Sequence, residues 1–177
     1  MKHWGSSTSH FPATVTTERP RRANMYSEYD FKFAKTILEK HYPSAMREIE
    51  DVITSFASPL GRNVRPTPAA LLEREFVRRG WQSQQAVTSL ETRLKFDLLK
   101  DKIAIEIQLA DPSDCYNDFL KFLLAYNLEL IDVGVEIVYD DSIHGNNIPR
   151  LGKVSRDLVL YRRVLPCPVW AIGLKAR

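Results

Sequence analysis

The apolar positions of this chain change period near its middle. Before that point they recur at helical spacing. Tyr26 to Lys40 carries Phe31, Phe33, Ala34, Ile37 and Leu38, and a second helix is predicted after Pro43, with Ile49, Val52, Ile53 and Phe56 on one face. Gly61 to Pro66 reads as a loop. Thr67-Pro68 then has the order of an N-cap residue followed by proline at the first helical position, and that helix ends at Gly80, within Val77-Arg78-Arg79-Gly80-Trp81.

From Gln84 onward the pattern is sheet-like. Arg93-Leu94-Lys95-Phe96-Asp97-Leu98 alternates polar and apolar residues, and so does Lys102-Ile103-Ala104-Ile105-Glu106-Ile107-Gln108-Leu109. So few residues separate the two runs that a tight antiparallel hairpin, turning at Asp101-Lys102, is the economical link. In that register Leu98 faces Ile105, Phe96 faces Ile107 and Leu94 faces Leu109. A one-residue slip would turn this apolar set to solvent. On the other face the same register sets Asp97 opposite Glu106, and Lys95 opposite Gln108. Directly opposed side chains have Cβ atoms only ~5 Å apart, and like charges there are destabilising. Two carboxylates so placed require a cation, a shared proton or open solvent.

A helix is predicted from Pro112-Ser113-Asp114, with Tyr116, Phe119, Leu120, Leu123 and Leu124 along its buried stripe. It leads to a buried strand at Asp132-Val133-Gly134-Val135-Glu136-Ile137-Val138, and a strand, a helix and a strand imply a parallel crossover. A polar loop spans Tyr139 to Lys153. A short helix or strand near Leu158 to Tyr161 and a last strand, Val169-Trp170-Ala171-Ile172-Gly173-Leu174, complete the pattern. No internal repeat is visible. Residues 1 to 24, rich in Ser, Thr, Pro and Arg without periodicity, are expected to be a flexible N-terminal arm, leaving 25–177 as one domain.

Composition narrows the class. The 177 residues suffice for one domain with a sizeable core. No apolar run approaches the ~20 residues of a membrane span, and Met1 to Thr8 lacks the apolar region of a secretory signal. Cys115 and Cys167 are far apart with no Cys-x-x-Cys spacing, so free thiols in a reducing cytoplasm are expected. The formal net charge of +3 says little by itself, but its distribution says more. From Arg150 onward seven Lys/Arg stand against one acid, Asp157, whereas from Asp101 to Asp141 ten acids stand against two lysines. A basic segment beside an acidic one suits a phosphate-gripping surface around a cation site, and segregated solvated faces account for the charges equally well.

The order helix, hairpin bearing Asp and Glu-x-Gln, helix, strand resembles the PD-(D/E)XK nuclease core. Within that class the chain is similar to the BglII/BstYI group of type II restriction endonucleases. The stretches that carry the likeness are Asp101 to Gln108, Ile131 to Ile137, Pro168 to Gly173, Arg79-Gly80-Trp81 and the amphipathic entry near Tyr29. Its sharpest part is Asp97, followed after eight residues by Glu106-x-Gln108, with glutamine where most of the class carries lysine. The resemblance implies an α/β fold: a mixed sheet flanked by helices, with a catalytic β-hairpin at one side. It implies Mg2+ held by Asp97, Glu106 and the Ile107 carbonyl, hard oxygen ligands suited to that ion. It also implies a homodimer on palindromic duplex DNA with a GATC core. Gln108 is no base at neutral pH and is expected to orient the attacking water.

Other residues carry weaker signals. Lys95 can touch phosphate or neutralise the acid pair. Asp111 can accept a hydrogen bond from cytosine or serve as a charge at the start of the next helix. Asn146, Asn147 and Arg150, with His144, lie in the polar loop, and Asn and Arg pair with adenine and guanine respectively in the major groove. Glu73 and Glu75 precede the hairpin, where solubility explains them as well as a role in the site does. His3, His10 and His41 show no metal spacing. Two rival functions remain from sequence: a DNA-binding module of this fold without cleavage, and a nuclease of repair, transposition or RNA processing.

Overall fold

A computed structural model describes residues 25–56, 65–87 and 94–176. Its strands are β1 (Tyr26–Phe31), β2 (Gln82–Ala86), β3 (Lys95–Lys100), β4 (Ile103–Ile107), β5 (Val133–Tyr139) and β6 (Val169–Leu174). Its helices are α1 (Ala34–His41), α2 (Pro43–Ser55), α3 (Pro68–Val77), α4 (Asp114–Asn127) and α5 (Leu151–Leu160). The expected arm at 1–24, the loop residues 61–64 and Arg93 lie outside the described residues.

Every residue of β4, β5 and β6 is buried. Near-continuous apolar runs of this kind suit strands covered on both faces. They form the parallel centre of one six-stranded sheet, ordered β1-β6-β5-β4-β3-β2, with antiparallel strands on either side. Helices α1, α2 and α3 pack on one face, where Leu38, Ile49, Ile53, Leu72 and Phe76 meet Leu98, Ile105, Val135 and Trp170. Helices α4 and α5 pack on the other, through Phe119, Phe122, Val154 and Leu158. This is the mixed, helix-flanked sheet expected from sequence.

Several expectations need correction. Tyr26–Phe31 is a strand and not the start of a helix. It pairs along the whole of β6, whose outer edge would otherwise leave backbone groups without partners. Phe33, in the left-handed region at φ 60°, then turns the chain into α1. The segment near Leu158 is the end of α5, so the polar loop closes at Arg150. On α4 the buried stripe is Cys115, Asp118, Phe119, Phe122 and Ala125, whereas Tyr116 and Leu120 are exposed. The helix is rotated from the face its large apolar residues predict, because Asp118 and Lys121 turn inward as a pair and Lys121 meets Glu106 on β4.

Local chemistry fixes the pieces that carry the site. Thr67 Oγ1 accepts from Ala70 N at 3.3 Å, capping α3 as its Thr-Pro start predicts. Lys100, at the end of β3, donates to both oxygens of Glu48 (2.9 and 2.8 Å) and to Arg79 O (2.9 Å), while Trp81 Nε1 donates to Glu48 at 2.9 Å. This knot ties the turn end of the hairpin to α2 and to the end of α3.

Candidate active site

The hairpin register follows the predicted one over Leu98↔Ile105, Leu99↔Ala104 and Lys100↔Ile103, with Asp101 at φ 52° in the turn. Beyond Leu98 it departs. Phe96 and Leu98 should share a face, yet Leu98 packs under the α1–α3 layer while Phe96 stacks on Phe122 of α4, ring centroids 6.2 Å apart. Leu94 is 41 % exposed and does not join that apolar face. The break falls at Asp97, and its neighbour across β2, Gln84, sits at φ 54° between the pairs Ser83↔Leu98 and Gln85↔Phe96. Reversed alternation of this sort follows from a local kink, as at a β-bulge, and such kinks re-aim side chains. Here it is Asp97 that is re-aimed: its Oδ2 accepts the Ile107 backbone N–H at 2.9 Å.

Glu106 and Gln108 lie two residues apart on β4 and just past it, so both project toward α4. Glu106 is 2 % exposed. Lys121 Nζ stands 2.5 Å from Glu106 Oε1 and 2.8 Å from Asp118 Oδ1, and it also donates to Lys95 O at 3.2 Å. Gln108 Oε1 accepts weakly from Ala110 N and Asp111 N at 3.3 and 3.4 Å. Gln108 lies near enough to Asp118 to favour the charged form of that carboxyl. An amide NH2 has two donors, which suit it to a substrate or a water.

The electrostatics follow from burial. Burial, then Asp118 and Asp97, raise the pKa of Glu106, and Lys121 opposes them. Asp118 is raised chiefly by burial against the lowering effect of Lys121. Glu136, aligned with Glu106 on β5 and wholly buried, is pushed well above the carboxylate range by burial, then by Asp118 and Glu106. Burial alone would lower Lys121, but Glu106 and Asp118 outweigh it and raise it. On the opposite side of Asp97, burial and then the Asp97 charge raise Glu73 on α3. Glu75 instead pairs with Arg78 and Arg79 at 2.6 and 3.1 Å.

Sequence reasoning brought Asp97, Glu106, Ile107 and Gln108 together, and the structure does so too. It missed Asp118 and Lys121. The available signal was an acid inside an apolar stripe, at position i of an i,i+3 pair with the lysine. Lys95 is exposed at the start of β3. Asp111 accepts from Ser113 N (2.9 Å) and Ser113 Oγ (2.7 Å), the geometry of a turn that opens α4. Arg150 donates to Ile143 O (3.1 Å) and Gly145 O (2.7 Å) and so closes its own loop. Asn146 and Asn147 are exposed in that loop. Because β4 and β5 are parallel, the loop stands at the same end of the sheet as Gln108. A groove of 440 Å³, lined by Thr67, Pro68, Ile107, Asp111 and Tyr139 among others, opens there too.

As a metal site the donor set is chemically consistent: two carboxylates and a backbone carbonyl, all hard oxygen. The Lys121 ammonium against Glu106 shows that a cation is already drawn to this carboxylate. Among the described residues no group of three or more His, Cys, Asp or Glu side chains is arranged to hold a metal.

Comparison with known proteins supplies the lineage. The crystal structure of the restriction endonuclease BglII complexed with a DNA 16-mer superposes with a TM-score of 0.73 at 15 % identity, covering 86 % of this chain and 78 % of that one. Free BglII superposes with a TM-score of 0.64 at 16 % identity, covering 86 % and 80 %. No curated protein matches the sequence. At such identities the likeness establishes the fold, and the family rests on a separate match, that of the restriction endonuclease BglII/BglIII model to residues 26–174. The chain belongs to the BglII/BglIII family of restriction endonucleases.

Proposed function

We propose that this protein is a type II restriction enzyme that hydrolyses duplex DNA at a short palindrome with Mg2+ as its cofactor, acting as a homodimer. The observation that carries the proposal is the meeting of Asp97, Glu106 and Gln108 at one end of the sheet in a BglII-family fold. Asp97 and Glu106, with the Ile107 carbonyl, would hold the metal. A bound Mg2+ supplies charge neutralisation at the scissile phosphate and a lowered pKa for the attacking water. The protein's own part is positional. Asp97 has one oxygen engaged by the Ile107 N–H, which fixes the carboxylate; the other oxygen would serve the metal. Gln108 has amide N–H groups with which to orient a water or a phosphate oxygen.

Duplex DNA as the substrate is supported by the family and by the BglII–DNA complex of the same fold. A homodimer is the simplest arrangement for cutting two strands with one site per chain. A GATC core is proposed from the resemblance, and Lys95, Asp111, Asn146, Asn147 and Arg150 are proposed to contact DNA. Of these, Asn146 and Asn147 are proposed for base contact because both are exposed in the loop and an amide side chain can pair bidentately with adenine in the major groove. The test is digestion of methylated and unmethylated plasmid with Mg2+. A fixed, methyl-sensitive ladder of fragments is expected. Smearing or nicking would favour a repair-type nuclease, and binding without cutting would favour the module lacking cleavage.

A further inference from the structure

Positive φ is uncommon in residues other than glycine, and within a strand it costs the chain a regular ladder. Six such residues stand among the described ones, and five of them sit in turns. The sixth, Gln84 at φ 54°, lies inside strand β2. The pairs Gln82↔Leu99 and Ser83↔Leu98 precede it, and Gln85↔Phe96 and Ala86↔Lys95 follow it, so the register is the same on both sides. No residue has been inserted. Gln84 stands opposite Asp97, and the two strands turn over together there, with Leu98 on the α1–α3 face and Phe96 on the α4 face. Gln85 Nε2 donates to Ser83 O at 3.0 Å, a bond that spans Gln84 and holds the turned backbone. Because β2 is the outer strand of the sheet, β3 is the one strand that must follow its turn. The result reaches the site. In a regular ladder the Ile107 N–H would pair with a β3 backbone carbonyl, but here Asp97 Oδ2 takes it at 2.9 Å.

We propose that Gln84 is a positioning residue for cleavage: its left-handed backbone turns the edge strand over and so aims the Asp97 carboxylate at the Ile107 amide, beside Glu106. The inference rests on the nuclease reading above. The backbone is the part that acts, since the Gln84 side chain is exposed. Glycine adopts positive φ without steric cost and asparagine is enriched there, whereas a β-branched residue is nearly excluded and favours a regular strand. Two alternatives stand against this role: the Gln84 side chain contacts DNA itself, or the turned edge has no bearing on the reaction.

Single-turnover rates at saturating DNA and Mg2+ for Gln84→Gly, Gln84→Asn, Gln84→Ala and Gln84→Val separate these readings. The Gly and Asn variants should cleave within about threefold of the wild-type rate, because both keep the left-handed backbone accessible. Gln84→Val should slow cleavage by roughly 10- to 100-fold, as a 1 Å misplacement of a site group does, while Ca2+-supported binding of specific DNA stays within about threefold. Gln84→Ala should fall between them, and it decides the matter if the Val variant does not fold. A second readout needs no activity: the Ile107 amide proton resonance should hold its place in the Gly variant and move in the Val variant, as the Asp97 carboxylate leaves it. Equal losses for Gly and Val would assign the role to the side chain. A Val variant at the wild-type rate, or an Ile107 resonance that does not move in it, would also overturn the positioning role. Each of these outcomes leaves the nuclease standing. A wild-type protein that cuts no DNA sinks both.

Discussion

At the scale of single residues, the site is a problem of crowded acids. Glu106 and Asp118 each interact electrostatically with Asp97 and with Glu136, and the Lys121 ammonium pairs with Glu106 and Asp118. Asp97→Ala and Glu106→Ala should each reduce cleavage by ~10²-fold or more with the fold intact, because each removes a proposed metal ligand. A near wild-type rate for either variant removes that residue from the site. Gln108→Ala should cost a comparable factor with specific binding retained, since misplacing a reacting group by 1 Å can already cost about 10²-fold. Gln108→Glu should keep some activity with altered metal dependence. The cysteines give an independent check of burial. Both are free, and burial is the main cause raising each thiol, Cys167 to about 12. Thiolate is the reactive form, so a thiol reagent at pH 8 should modify neither until the protein unfolds. Rapid labelling of the native protein would place the α4 layer elsewhere.

At the scale of elements, one glycine decides how α4 meets the sheet. A Cβ on Gly134 would lie 2.9 Å from the Phe122 ring, which also stacks on Phe96, the neighbour of Asp97. Gly134→Ala must therefore push α4 outward, and with it Asp118 and Lys121. Overpacking of this kind costs about 1–3 kcal/mol, so the denaturation midpoint should fall and cleavage should fall further than the loss of folded protein explains. An unchanged midpoint would mean that the helix yields freely. The loop after β5 behaves differently, because Arg150 holds it by backbone carbonyls while Asn146 and Asn147 stay exposed. If either asparagine reads a base, its alanine variant should lose ~1–3 kcal/mol at one position of the target and relax preference there. A uniform loss across sequences would assign the loop to phosphate.

At the scale of the molecule, the parallel centre of the sheet sets every proposed DNA contact at one end. The C-terminal ends of β4 and β5 carry Gln108 and the polar loop, and the α3 N-terminus lines the same groove. Ca2+ satisfies oxygen ligands without supporting the attack as Mg2+ does, so it should permit specific binding with little or no cutting. Rapid turnover in Ca2+ alone would contradict the role given to the metal. Sedimentation of the free protein should give twice the chain mass, and a monomer on DNA that still makes double-strand breaks would overturn the dimer.

The sequence by itself determined the central strands, the hairpin turn at Asp101, the capped start of α3 and the grouping of Asp97, Glu106 and Gln108. Those features are written in local periods and in turn chemistry, which depend on near neighbours. Only the tertiary structure decided the rest. Tyr26–Phe31 looks helical by spacing and becomes a strand because β6 needs an edge partner. The alternation of β3 breaks at Asp97 because Phe96 packs against Phe122, twenty-six residues away, and because Gln84 kinks the strand beside it. Asp118 and Lys121 interrupt the periodicity of α4 and become intelligible only once Glu106 and Gln108 lie against them. A polar pair is costly to bury anywhere except opposite the partners that satisfy it, and those partners are brought together by the crossover from β4 to β5.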